Sequence, residues 1–187
     1  MFSKALIVFS FAITLFSSIA HAEFLLEPYF GYELGSYKTD FAGNYGQGDA
    51  KGITVGGRLG VSLPLFFVAA DYSLMSGEMK AETSSRWTEV TSQKIFVVGG
   101  TALPLVRLYG GIGIWNILKA QIINTEVAIS GMPSFKAGAS FTGLPFVALN
   151  LEYIYVKYDE AKVGSSSVPA NLTSSTFLAG LSIPLEL

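Results

Sequence analysis

The chain has no cysteine, and of its 187 residues one is a histidine. The first absence excludes disulfides, thiolate nucleophiles and cysteine-ligated metals. The single histidine, His21, lies within the first 22 residues, so the remainder carries no imidazole for base catalysis or metal binding. Charge is scarce as well. Asp, Glu, Lys and Arg make up 14% of the chain, where soluble domains carry about 25%. The 12 Lys and Arg stand against 14 Asp and Glu, which offers no electrostatic footprint for nucleic acid.

What is present is apolar. Half of the residues are hydrophobic and the mean hydropathy is +0.46, so much of the surface must face something other than water. The start reads as a secretory signal peptide over residues 1–22. Lys4 supplies a positive n-region, Ala5 to Phe16 an apolar h-region, and Ala20-His21-Ala22 a small-x-small cleavage site. The apolar stretch is short for a membrane anchor. Cleavage is expected between Ala22 and Glu23, leaving residues 23–187 as one domain.

Within that domain a marker recurs: Leu63-Pro64-Leu65, Leu103-Pro104-Leu105, Leu144-Pro145-Phe146 and Ile183-Pro184-Leu185. The prolines are 40, 41 and 39 residues apart. A fixed period signals one repeated supersecondary unit, and proline, lacking an N–H, punctuates strands. Between markers the hydrophobicity alternates with period two. Ile53, Val55, Gly57, Leu59 and Val61 oppose Gly52, Thr54, Gly56, Arg58 and Gly60; Leu26, Pro28, Phe30, Tyr32 and Leu34 oppose Glu27, Tyr29, Gly31, Glu33 and Gly35. Period two means strand.

The pattern predicts eight strands near 24–35, 50–62, 65–77, 88–102, 105–117, 130–142, 146–158 and 172–186. Three short turns sit at Pro64, Pro104 and Pro145. Four longer polar loops fall near 36–49, 78–87, 118–129 and 159–171. Short turns at one end and long loops at the other are the pattern of an all-β, eight-stranded, antiparallel up-and-down transmembrane barrel, with its turns in the periplasm. A helical bundle is the rival, with 95–118 as its best span, but Pro104, Arg107 and five glycines make that a poor lipid-facing helix.

Counted from the nearest proline, Asp71, Arg107 and Glu152 fall at odd offsets after the turn, and Arg58 and Lys94 at even offsets before it. The charges therefore share one face of each strand, opposite the lipid-type residues. Lys136 breaks the parity, which one extra residue at its turn or a bulge would restore. A charge facing lipid at mid-depth costs about 2–4 kcal/mol, so the face points inward. The expected lumen set is Glu27, Glu33, Asp71 and Glu152 against Arg58, Lys94, Arg107 and Lys136, four of each sign. A lumen of this size is just filled by side chains. Aromatics fall where interfacial belts would be: Phe66, Phe141 and Phe146 at the turns, and Tyr32, Tyr72, Tyr153, Tyr155, Trp115 and Tyr158 toward the loops.

In this architecture the chain resembles the small eight-stranded outer-membrane barrels, the group of the outer-membrane protein A membrane domain and the opacity-type adhesins. The resemblance covers residues 23–187 and rests on alternation and turn pattern. It implies residence in the outer membrane of a Gram-negative bacterium, a monomer in contact with outer-membrane lipid, delivery by the barrel assembly machinery, and inward Glu/Arg/Lys pairs. One departure is the final Leu187, where such barrels commonly end in an aromatic residue.

Three functions compete. The first is a non-enzymatic barrel with a packed, ion-paired lumen, serving envelope integrity or surface interaction through loops bearing Tyr37, Phe41, Tyr45 and Trp87. The second is a narrow channel or small-molecule transporter gated by lumen charge pairs, for which inward glycines (31, 52, 56, 60, 100, 111, 113, 138, 180) would leave room. The third, an outer-membrane enzyme, lacks the histidine such chemistry generally uses. No catalytic residue, cofactor, metal or nucleic-acid partner is expected.

Overall fold

A computed structural model describes residues 22–41, 44–122, 125–164 and 166–187. The signal peptide of 1–22, apart from Ala22, lies outside the described residues, as do the side chains of Phe41 and Tyr45.

Among the described residues every regular element is a strand: β1 (Glu23–Phe41), β2 (Asn44–Ser62), β3 (Phe66–Ala81), β4 (Thr88–Ala102), β5 (Val106–Ile122), β6 (Thr125–Ser130), β7 (Ser134–Phe141), β8 (Ala148–Val163), β9 (Ser166–Ser182) and β10 (Leu185–Glu186). The helical alternative over 95–118 is overturned, since that stretch forms parts of β4 and β5 around the Pro104 turn. All pairings are antiparallel.

Ten elements make eight staves. β6 and β7 are consecutive pieces of one stave, interrupted at Gly131-Met132-Pro133, and both lie between β5 and β8. β9 and β10 are likewise split at Ile183-Pro184, and both pair with β1. Proline explains both breaks, because it cannot donate to a ladder. Since β9 pairs with both β8 and β1, the sheet returns to its own first strand.

The turns at Pro64 and Pro104 are three residues long, with Leu63 N–H bonded to Phe66 C=O and Leu103 N–H bonded to Val106 C=O. The Pro145 connection is longer, from Phe141 to Ala148, and Phe146 takes a φ of 66°. Its extra length resolves the parity of Lys136. The β7–β8 ladder runs without a register shift, so the turn, rather than a bulge, carries the correction.

The opposite end differs from the sequence reading. The expected loops at 36–49, 118–129 and 159–171 are largely strand, as β1–β2, β5–β6 and β8–β9 continue upward as paired hairpins. Only the β3–β4 connection, residues 82–87, is non-strand over most of its predicted span. The barrel therefore stands well above its apolar belt.

Outward side chains form that belt. Phe24, Phe30, Leu34, Ile53, Val55, Leu59, Val68, Val97, Leu108, Ile112, Leu151 and Phe177 are all exposed. From Phe24 to Leu34 it covers roughly 33 Å of strand, or about 25 Å of height at a barrel's tilt. Outward rings meet in pairs, Tyr153 with Phe177 at 5.1 Å and Phe135 with Tyr155 at 6.5 Å. Tyr158 is not part of this belt. A register shift between Tyr158 and Glu160 follows it, and its side chain is buried in the interior. A second shift, at Ile95/Phe96 against β5, turns both Ile114 and Trp115 outward.

Candidate functional site

The lumen is where the charged side chains meet. Glu27, Arg58 and Asp71 are direct cross-strand partners on β1, β2 and β3, so the pairing sets a negative–positive–negative row across neighbouring strands. Arg58 makes the most contacts. Its Nη1 lies 3.0 Å from Glu27 Oε1 and its Nε 3.0 Å from Asp71 Oδ2. Its Nη2 donates to Tyr109 Oη at 2.9 Å and, across the lumen, pairs with Glu152 on β8. Three carboxylates and a phenol thus converge on one guanidinium, whose fixed fork of donors suits such a node.

Lys136 on β7 closes the knot from the other side, with Nζ 2.9 Å from Asp71 Oδ2 and 3.0 Å from Glu152 Oε2. Arg107 on β5 approaches Glu27 Oε2 at 3.3 Å from the turn end, and Ser182 donates to Glu27 Oε1 at 2.5 Å. The knot holds Glu27, Asp71 and Glu152 against Arg58, Arg107 and Lys136. A second, separate tier lies nearer the hairpin end. There Lys94 Nζ reaches Glu33 Oε1 at 2.5 Å, while Thr54 and Thr176 donate to the same carboxylate at 3.1 and 2.7 Å.

All eight charged residues singled out from the sequence are buried, Arg107 the least so at 8% exposure. The structure sorts them into a knot of three against three and a pair of one against one. Each tier balances by itself, as buried charge requires.

The sequence reading missed two members of the knot, Tyr29 and Tyr109. Tyr29 Oη donates to Asp71 Oδ1 at 2.8 Å, and Tyr109 Oη donates to Glu152 Oε1 at 2.6 Å. Their rings also lie beneath the Arg58 guanidinium, with centroids 5.0 and 4.6 Å from Cζ. Parity could have found them, since Tyr29 stands two residues from Glu27 and Tyr109 two from Arg107 on the same face.

The two tyrosines also correct the reading of the inward glycines. Gly56 pairs with Tyr29, and Gly138 with Tyr109. A Cβ at Gly56 would lie 2.4 Å from Tyr29 Cζ, and one at Gly138 2.5 Å from Tyr109 Cζ. These glycines do not leave open space for solvent; the rings occupy it. Similarly, a Cβ at Gly60 or Gly100 would strike Ala69 or Tyr109.

Above the Glu33–Lys94 tier apolar side chains dominate the interior. Met75, Val90, Leu118, Val156, Tyr158 and Leu172 pack together, with Tyr37, Met79, Ala120 and Ile129 partly buried against them. Among the described residues no cluster of three or more His, Asp or Glu is arranged to hold a metal.

The solved structures similar to this one include the following three. Neisserial surface protein A is 17% identical, over 83% of this chain and 96% of that one, with a TM-score of 0.50. Ail, the attachment invasion locus protein of Yersinia pestis, is 17% identical over 87% and 99%, with a TM-score of 0.53. The outer membrane protein AlkL is 15% identical over 88% and 92%, again at 0.53. No family model and no curated protein matches the chain. The chain has the fold of the small eight-stranded outer-membrane β-barrels.

Proposed function

We propose that this chain is a non-enzymatic barrel of the Gram-negative outer membrane, sealed against solutes by its ionic knot, that serves envelope integrity or surface interaction through its tall outer hairpins. The observation that carries this reading is the Arg58 node. One guanidinium tied to Glu27, Asp71 and Glu152 spans from β2 to β8, and Lys136 bridges β7 to β3. Such ties exchange only if buried charges lose their partners. In this reading the turns at Pro64, Pro104 and Pro145 face the periplasm, the protein is a monomer embedded in outer-membrane lipid, and the assembly machinery inserts it once the signal peptide is removed near Ala22–Glu23.

A second reading, a narrow channel gated by the lumen charges, draws on different atoms. The hydroxyl of Ser73 and the Oδ1 of Asn116 are buried without a hydrogen-bond partner. Ser73 and Asn116 flank Lys94 in register. Buried polar atoms of this kind ordinarily bind water. Planar-bilayer recording separates the two. A sealed barrel gives no unitary steps as wild type. Steps from the wild type, lost when Lys94 is replaced by Met, would replace the sealed reading with the channel.

A further inference from the structure

Proline explains why the chain turns at Pro64, Pro104 and Pro145. It does not explain the residues beside it. Turns that stand in water favour Gly, Asn, Asp and Ser. Here the tips are apolar and uncovered: Leu65, Leu103, Leu105, Leu144 and Phe146 are all exposed, Phe146 to 87%. Phe146 is the extreme case. Its φ of 66° lies in the left-handed region, where a bulky side chain is strained and Gly or Asn is the usual occupant. The strained backbone holds out a bare ring.

The two ends of the outer wall also differ. Toward the hairpins the outward apolar runs stop at charge, Lys51 beyond Ile53 on β2 and Lys157 beyond Tyr155 on β8. Toward the turns no described outward side chain is charged; Glu23 and Arg107 line the cavity enclosed by the turns instead. Belt length then decides what covers the tips. β1, from Phe24 to Leu34, spans a membrane-sized band by itself. On β2 the outward apolar run is Ile53 to Val61 and on β3 Phe66 to Leu74, about 20 Å of height each. On β8 it is Leu149 to Tyr155, about 15 Å. An outer-membrane barrel carries a band about 25 Å tall. The leucines and Phe146 at the tips continue these short runs in the direction where height is missing.

We propose that the tips of the Pro64, Pro104 and Pro145 turns are immersed in the acyl chains of inner-leaflet phospholipid, with the Phe146 ring as their anchor. Lipid, rather than periplasmic water or a protein, covers this end of the wall. An exposed apolar patch of this kind needs such a partner, and the shortfall of the strands in height is met when that partner is the bilayer. The proposal rests on the outer-membrane reading above, and the test keeps the two apart.

Trp87 and Trp115 are the two tryptophans of the chain, so Trp87→Phe with Trp115→Phe gives a silent background. Four single reporters are placed in it: Phe146→Trp and Leu105→Trp at the tips, Val97→Trp in the belt, and Ser85→Trp in the exposed β3–β4 connection. Each barrel is folded into phosphatidylcholine vesicles whose acyl chains are plain, brominated near the carboxyl end, or brominated near the methyl end. Emission and its quenching by acrylamide are then read. The tip reporters should lose most of their emission to bromine near the carboxyl end and less to bromine near the methyl end. They should resist acrylamide as Val97→Trp does. Quenching of either tip reporter by acrylamide to the extent seen for Ser85→Trp would overturn the proposal. So would protection from acrylamide without quenching by either brominated lipid, the signature of a tip covered by a second copy of the chain. Unboiled gel mobility on the same samples reports the barrel. A folded band with Val97→Trp quenched by brominated lipid, but with tips open to acrylamide, overturns this proposal alone. Absence of the folded band for every reporter, or a Val97→Trp that brominated lipid leaves unquenched, overturns the outer-membrane reading beneath it.

Discussion

Removing the Arg58 guanidinium would leave the buried Glu27, Asp71 and Glu152 to share Arg107 and Lys136. Breaking a buried network at one partner costs about 3–5 kcal/mol. Arg58→Ala should therefore lower the unfolding free energy of the barrel in lipid vesicles by that order, measured by urea titration and read as loss of the fast-migrating unboiled band. Tyr109→Phe removes one hydroxyl that both accepts from Arg58 and donates to Glu152. It should cost about 1–3 kcal/mol in the same assay, because hydrogen bonds to charged groups are involved. Gly56→Ala tests the opposite kind of change. Its methyl would need the space of the Tyr29 ring, and overpacking of this sort costs about 1–3 kcal/mol. If Gly56→Ala were neutral, the ring would have to move freely, contrary to its bond to Asp71.

At the scale of the strand, the alternation separates two environments only one residue apart. Val97 faces outward beside the buried Phe96 and Val98. Val97→Arg should cost about 2–4 kcal/mol in vesicles if it sits at mid-membrane. An arginine of equal charge stands at 58 at no such penalty because its partners are built in. The staves were legible in the sequence wherever the membrane imposes alternation, as at Ile53–Val61 or Leu26–Leu34. They were illegible above the belt. Ser36 to Phe41, Asn44 to Ala50, Asp159 to Val163 and Ser166 to Asn171 carry polar residues and glycines of low strand propensity, and hydrogen bonding between the two arms of each hairpin makes them strands. The lumen charges were legible because charge on a known phase has one place to go. Their sorting into a knot and a separate pair was not, since that depends on which staves face each other across the barrel. The turn at Pro145 shows the same limit: the parity of Lys136 required an irregularity, and only the register located it in the turn.

For the molecule as a whole, the ring depends on a seam between its first and last staves. Gly31 lies opposite Gly180, and Ile183 N–H bonds to Pro28 C=O at 3.0 Å. Deleting residues 166–187 would leave β1 and β8 as open edges with unpaired backbone. The deletion variant should show no heat-modifiable band in vesicles and should aggregate instead. The seam also places a condition on time. The bond from Ser182 to Glu27 joins residues 155 apart in sequence, and contacts of such separation form late and slowly. The first strand must therefore wait, one edge unsatisfied, until the last has been made and delivered. Whatever holds that edge in the interval governs whether the chain becomes a membrane protein or a precipitate.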